Sequence, residues 1–421
     1  MEERKTAVID RVLMRRGSEV LRFRYDMAHS SIVGKVDIID RTQLPIGTFE
    51  LDGSFTRPLF EKWITDRAVP FDRIQTAADE LGFESSNELM LSTLGLSLSD
   101  QYWFRPLDTD IDWRSVNPFE NDFDTVLGQA LVPDDDDSAS KAISVIEGNP
   151  TVIYSSPDPA CGGNLPKYWD IDENGTRRLY KSGKTENGIM EPYNEEIATR
   201  LCELLLDQDD FVPSRLEEDT VFPRVFSSCP CMIDATMELV PAHAVMKLAT
   251  HDNSMSLYQK FIAVCKQNGL RDVEASIEKM LLVDHILSNF DRHWSNFGII
   301  RDVETNAWVR VAPLFDMGES LWCDRMQSLS LRPYKFKYAM PFAHKPGTQF
   351  ERYCDDLSWF DPSKLSGFPE IACDIVELNP FAMVNAGFID LVHKGLTATI
   401  DQVTEAVRNS LSKGFTRSHF C

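Results

Sequence analysis

The sequence predicts an α+β fold: a β-rich lobe, then an α-helical lobe, with an additional α+β module ahead of both. Three observations predict it. Strand signals and turns crowd residues 151–240, helical periodicity takes over from about 255, and residues 1–128 mix short strands with helices. A charge run, Val132-Pro133-Asp134-Asp135-Asp136-Asp137-Ser138, has no hydrophobic periodicity and reads as a solvated linker. The chain therefore divides into a module at 1–130, an acidic linker at 131–145, a β-rich lobe at 146–245 and a helical lobe at 246–421.

Composition bounds the function. The 421 residues are 43% hydrophobic and 26% charged, ordinary for a globular protein, which excludes disordered, fibrous and collagen-like classes. With 43 Lys+Arg against 66 Asp+Glu the net charge is −23, so no direct nucleic-acid binding and no membrane partner are expected. No apolar run reaches the roughly 18 residues of a membrane span. Met1-Glu2-Glu3-Arg4-Lys5 leads into no apolar signal core, and the nine cysteines are odd in number. Both point to reduced thiols in a cytoplasmic protein. Cys229-Pro230-Cys231 lacks a second ligand pair and reads as small buried side chains in a strand rather than half a zinc site.

In the module, Val36–Ile39 and Gly47–Leu51 read as strands, and Leu59–Thr65 and Arg73–Leu81 as helices. Thr151–Tyr154 reads as a strand. Tyr168–Ile171 and Arg178–Lys181 flank Asp172-Glu173-Asn174-Gly175, and Asn-Gly between alternating runs signals a hairpin. A helix runs from near Pro192 to about Asp207, and Cys231–Asp234 with Met237–Val240 reads as a second hairpin. Val273, Ile277, Met280, Leu281 and Leu287 recur at helical spacing, in a helix ending near Ser288. Ala372–Leu378 and Val403–Leu411 are further helices.

The most informative stretch is Asn289-Phe290-Asp291-Arg292-His293-Trp294-Ser295-Asn296-Phe297-Gly298, followed by Phe315-Asp316-Met317-Gly318. An Asp, an Asn five residues on, then an Asp-x-Gly after a strand is the base-and-metal arrangement of kinase-like phosphotransferases. Asp291 can accept a hydroxyl proton, with His293 beside it in sequence. Asn296 and Asp316 offer oxygens that suit Mg²⁺. Gly318 permits a sharp turn beyond the metal.

The β-rich lobe offers the nucleotide side. Lys181 ends a strand and is a cation for α- and β-phosphates. The next helix begins Asn194-Glu195-Glu196. At 100° per residue, Glu196 shares a solvated face with Arg200, Glu203 and Asp207, whereas Glu195 falls beside Ala198, Cys202 and Leu206. A buried carboxylate needs a partner, so Glu195 is expected to pair with Lys181. Gly162 and Gly163, with Asn164 and Lys167, form a loop that a phosphate can approach closely. The backbones of Glu238 and Val240 stand where a hinge would meet adenine. From Arg325 to Phe350 there is no Asp or Glu, while Arg325, Arg332, Lys335, Lys337 and Lys345 are cations. That stretch suits an acidic or phosphate-bearing partner.

These residues resemble the HipA-like serine/threonine kinases, the toxin kinases of bacterial toxin–antitoxin systems, in a divergent branch with an N-terminal module. The 289–298 segment is similar to that branch's catalytic loop and Phe315–Gly318 to its metal-binding segment. Cys161–Lys167 is similar to its phosphate loop, and Asn194-Glu195 to the start of its Glu-bearing helix. Gly95–Trp103 and Asn117–Phe123 are similar to recurring segments of its module. The resemblance implies a bilobal protein-kinase-like fold, ATP and Mg²⁺ as cofactors, and transfer to protein Ser/Thr. It also implies acceptors among translation components, aminoacyl-tRNA synthetases included, and a DNA-binding antitoxin partner. The family's autophosphorylated loop Ser is replaced at about that place by Ala160, with Ser155 and Ser156 further upstream. The Asp-Arg-His order, reversed from eukaryotic protein kinases, keeps a small-molecule or lipid acceptor open. An idle nucleotide-binding interaction module is the remaining alternative.

Overall fold

In the computed structural model the described residues are 8–75, 82–132, 155–218, 225–329, 340–343 and 345–412. The linker beyond residue 132, the strand expected at 151–154, most of the helix expected at Arg73–Leu81 and the cations Arg332, Lys335 and Lys337 lie outside them. The fold is mixed α and β with antiparallel sheets. The chain folds as two units that do not follow its order. The first takes residues 1–181, 230–250 and 300–309; the second takes 182–229, 251–299 and 310–421.

The first unit opens on a hairpin, β1 (Val8–Arg15) and β2 (Ser18–Asp26), closed by Arg16-Gly17 with Arg16 at φ 51°. In β2, Leu21, Phe23 and Tyr25 point inward and Arg22 and Arg24 outward, the period-2 pattern of a strand. With β3 (Ser31–Ile38) and β4 (Tyr102–Pro106) these make an antiparallel sheet in the order β3-β2-β1-β4. Both its faces are covered. Leu13, Phe23 and Phe104 pack with Phe60 and Ile64 of helix α1 (Arg57–Arg67), while Val12, Met14 and Trp103 pack with Leu96 and Trp113. The segment 47–51 is not a strand; it makes one isolated bridge, Phe49 to Phe55.

The Asn-Gly hairpin forms as expected, from β5 (Lys167–Ile171) and β6 (Arg177–Lys181), paired Asp170 to Arg178. Asp172 Oδ1 accepts from the backbone of Asn174 and Thr176, both at 2.9 Å, and Gly175 takes φ +78°. The second expected hairpin does not form. Residues 231–234 are irregular, and β9 (Met237–Pro241) instead joins β10 (Gly298–Asp302) and β11 (Trp308–Val311) in the order β11-β10-β9. Cys229 and Cys231 are half-buried rather than core side chains, and Cys231 Sγ donates to Leu98 O.

The second unit holds helix α2 (Glu191–Leu205), the hairpin β7 (Arg215–Glu218) and β8 (Val225–Pro230), and helices α3 (Leu257–Gln267), α4 (Val273–Leu287), α5 (Pro346–Tyr353), α6 (Phe368–Val376) and α7 (Ala386–Ser412). Helix α4 is apolar nearly all round and is buried from Met280 to Leu287. It ends at Ser288, in the left-handed conformation at φ 52°. Among the described residues no helix is long and apolar enough to cross a membrane.

Candidate active site

The site grows from one charged residue in an apolar helix. Asp284 lies among Leu281, Leu282, Val283, Ile286 and Leu287, fully buried. A lone carboxylate there would be costly, and Arg292 meets it in a two-pronged pair with Nε–Oδ2 and Nη2–Oδ1 both at 2.9 Å. Asn289 also donates to Asp284 Oδ1 at 2.8 Å and accepts from the Asp291 N–H at 3.0 Å. The helix end thus dictates the path of the loop after it.

Arg292 has one nitrogen left, Nη1. It donates to the Asn296 carbonyl and to the Phe315 carbonyl, each at 2.6 Å. One guanidinium therefore ties the loop bearing Asp291 and Asn296 to the segment bearing Asp316. Asn296 Nδ2 donates to the Asp291 carbonyl at 2.9 Å, which leaves its Oδ1 as the end available to a cation. The Phe290 N–H donates to the Glu319 carbonyl at 3.1 Å, a second tie between the two segments.

Asp291 sits where a proton acceptor is useful. Burial pushes its carboxyl up to about 7, helped by the charges of Glu319 and Asp316 and opposed by Lys184 and Arg292. His293 Nδ1 accepts from the Ser295 N–H at 3.1 Å, which turns Nε2 toward Asp291 Oδ2, 3.8 Å away.

Glu195 is buried, as its helical phase predicts. Glu196 is buried too, against expectation. It pairs with Arg200 at 2.6 Å and accepts from the Leu216 N–H at 3.2 Å, because β7 covers the face that the wheel assigned to solvent. The sharp turn expected at Gly318 falls instead at Asp316, which takes φ +58°. Gly318 serves closeness: a Cβ there would lie 3.1 Å from Glu191 O and 3.4 Å from Glu195 Cγ. Asn194 Nδ2 seals the contact on the carbonyls of Gly318 and Ser320, at 2.8 and 2.9 Å. Glu195, Asp291, His293, Asn296 and Asp316 thus belong to one unit, with the Glu-bearing helix packed on the Asp-x-Gly segment.

The other candidates belong to the first unit. Lys181 is buried at the end of β6. In the Gly162-Gly163-Asn164 loop, Arg73 Nη1 donates to the carbonyls of Cys161 and Gly163, at 2.9 and 3.0 Å. Gly163 takes φ +92°, which any other side chain would adopt only under strain, and the Lys167 amine crowds the place its Cβ would take. In β9, Met237 O accepts from Gln101 and Leu239 N–H donates to Ser99 O. The alternating backbone groups of Glu238 and Val240 face the edge along which β10 runs. The Glu238 side chain is buried, paired with Arg301 and 3.1 Å from Arg15.

Sequence reasoning missed Asp284 and the anchoring role of Arg292, although an acid inside an apolar helical run signals a buried pair. It also missed Lys184, whose amine pairs with Glu319, and nothing in the local pattern marks that pair. Among the described residues no three or more His, Cys, Asp or Glu side chains cluster to cage a metal. The Asn296 amide oxygen and Asp316 carboxylate are hard oxygen donors. That short set fits Mg²⁺, which keeps waters and phosphate oxygens as its other ligands.

No protein-family model and no curated protein matches the chain. Among solved structures it is similar to that of a Helicobacter pylori proinflammatory kinase, CtkA, at 17% identity and a TM-score of 0.44, over 58% of this chain and 95% of that one. A likeness at that level decides neither fold nor activity.

Proposed function

We propose that the chain is an ATP- and Mg²⁺-dependent phosphotransferase, a serine/threonine protein kinase of the HipA-like type. The observation that carries this reading is the buried Arg292, which holds the Asp291–Asn296 loop and the Asp316 segment on adjacent carbonyls. Phosphoryl transfer is mostly positioning and charge neutralisation, and this is a positioning device.

In this reading Asp291 accepts the proton of the acceptor hydroxyl. The hydroxyl oxygen bonds the terminal phosphorus while the bond to the bridging oxygen breaks, and ADP leaves with that electron pair. Asn296 and Asp316 hold Mg²⁺, which supplies charge neutralisation on the phosphates when bound. His293 orients Asp291. Lys181 and the Gly162-Gly163 loop bind the nucleotide phosphates, with Asn164 and Lys167 at the loop's rim. The acceptor is a protein hydroxyl, with translation components the class that the sequence resemblance implies, and an antitoxin is the corresponding partner.

The test is incubation with γ-labelled ATP and Mg²⁺, with and without cell lysate, followed by identification of the labelled species. Label on protein Ser or Thr, absent with Asp291→Ala, is the expected result. Label on a lipid or small molecule moves the reading to that acceptor, and no transfer to any species in Mg²⁺ overturns it.

A further inference from the structure

In the second unit, carboxylates crowd the proton acceptor Asp291. Glu319 and Asp316 both lie within electrostatic reach of Asp291. A triphosphate entering there meets like charge, which costs unless cations offset it. Among the described residues, Lys184 and Arg292 are the cations that act most on Asp291. Arg292 is fully buried, and its nitrogens are spent on Asp284, Asn296 and Phe315. The Lys184 side chain is 32% exposed. It is the one of the two that a ligand from solvent can reach.

Lys184 is also placed rather than loose. Its N–H donates to Glu191 Oε2 at 3.1 Å, and Asn187 holds Glu191 Oε1 at 2.7 Å. A Cβ at Gly183 would crowd both that carboxylate and the Ile189 backbone. Its amine pairs with Glu319, whose own carbonyl is bonded to the residue before Asp291. A backbone clamp at one end and a carboxylate at the other hold the amine within electrostatic reach of Asp291.

We propose that Lys184 contacts the terminal phosphate of the nucleotide, and that Glu319 is the counter-ion which this phosphate replaces. The inference rests on the phosphotransferase reading and names a residue that reading does not use. It separates Lys184 from a plain surface ion pair by sign. If the pair were only structural, losing either partner would have the same effect. If Glu319 competes with phosphate for the amine, the two losses act in opposite directions.

The experiment titrates the full chain with Mg²⁺ and either ADP or a non-hydrolysable ATP analogue, by calorimetry. The proteins are native, Lys184→Ala, Lys184→Arg and Glu319→Gln, each checked for a native thermal midpoint. Lys184→Ala is expected to weaken the triphosphate analogue roughly tenfold or more while changing ADP less than about threefold. Lys184→Arg restores most of the loss, and Glu319→Gln binds the analogue at least as tightly as native. Equal loss for both nucleotides, no loss, or a Glu319→Gln variant that copies Lys184→Ala overturns the inference alone. A native protein that binds neither nucleotide overturns the phosphotransferase reading, and the inference with it.

Discussion

Asp291 carries a charge that its surroundings resist. Its carboxyl ionises near pH 7 in the fold and near the ordinary carboxylate value once unfolded. The sign follows. A raised folded value means the native state gains from the protonated form at low pH and loses that advantage as pH rises from about 4 through 7. Replacing the group with a neutral isostere removes the loss. Metal-free Asp291→Asn should therefore be more stable than native at pH 8, by about 1 kcal/mol once the 38% exposure of the side chain is allowed for, with the gap closing by pH 4. It should lose at least a hundredfold in transfer rate. Denaturant melts at the two pH values check the first claim; equal stability at both would mean that Asp291 is not strained. At this scale the legible residues were those with a motif spacing, Asp291, Asn296 and Asp316. Lys184 and Glu319 lie 135 residues apart and share no pattern, so only the fold could bring them together.

Elements were legible where the local pattern was also the tertiary environment. The β5–β6 hairpin is written in its own turn, and α4 in its apolar periodicity. Two readings failed for tertiary reasons. Glu196 has a solvent-facing phase until β7 covers it. Met237–Val240 looks like half of a hairpin until β10, some sixty residues on, supplies the partner strand. Sequence reasoning also missed the β1–β2 hairpin, whose Leu21-Arg22-Phe23-Arg24-Tyr25 alternation is the period-2 signal of a strand. The packing of α2 on the Asp-x-Gly segment gives a prediction at this scale. Gly318→Ala puts a methyl 3.1 Å from Glu191 O and 3.2 Å from Glu191 Cβ, so the helix must retreat by a few tenths of an ångström. The expected cost is about 1 kcal/mol in stability, with a larger loss, roughly tenfold or more, in transfer rate, because Glu195 moves with the helix. Thermal midpoint and steady-state rate, measured together, check it. A variant with native kinetics would show that the close approach is incidental.

At the scale of the whole molecule, the first unit is stitched from three segments of chain, 1–181, 230–250 and 300–309. Its stitch is visible at one carboxylate. Glu238, 1% exposed, takes Arg301 from the third segment and Arg15 from the first, while the Tyr102 hydroxyl accepts from Arg301 at 3.2 Å. Beside it, Gln101 and Ser99 hold the backbone of Met237 and Leu239. The Asp134–Asp137 run reads in the sequence as a linker, and the experiment this suggests is to cut before it and keep 131–421. That cut removes β1 to β4, strips Arg15 from Glu238 and leaves one edge of β9 without partners. Breaking a buried ion pair alone costs about 3–5 kcal/mol, a large share of a domain's stability. The truncated chain should therefore be recovered insoluble, or should melt without a cooperative transition, whereas Arg15→Met in the full chain should fold with a lowered midpoint. Circular dichroism melts of the two proteins decide it. A 131–421 fragment that melts cooperatively at the native temperature would show that the N-terminal module is an accessory and that the ties at Glu238 are dispensable.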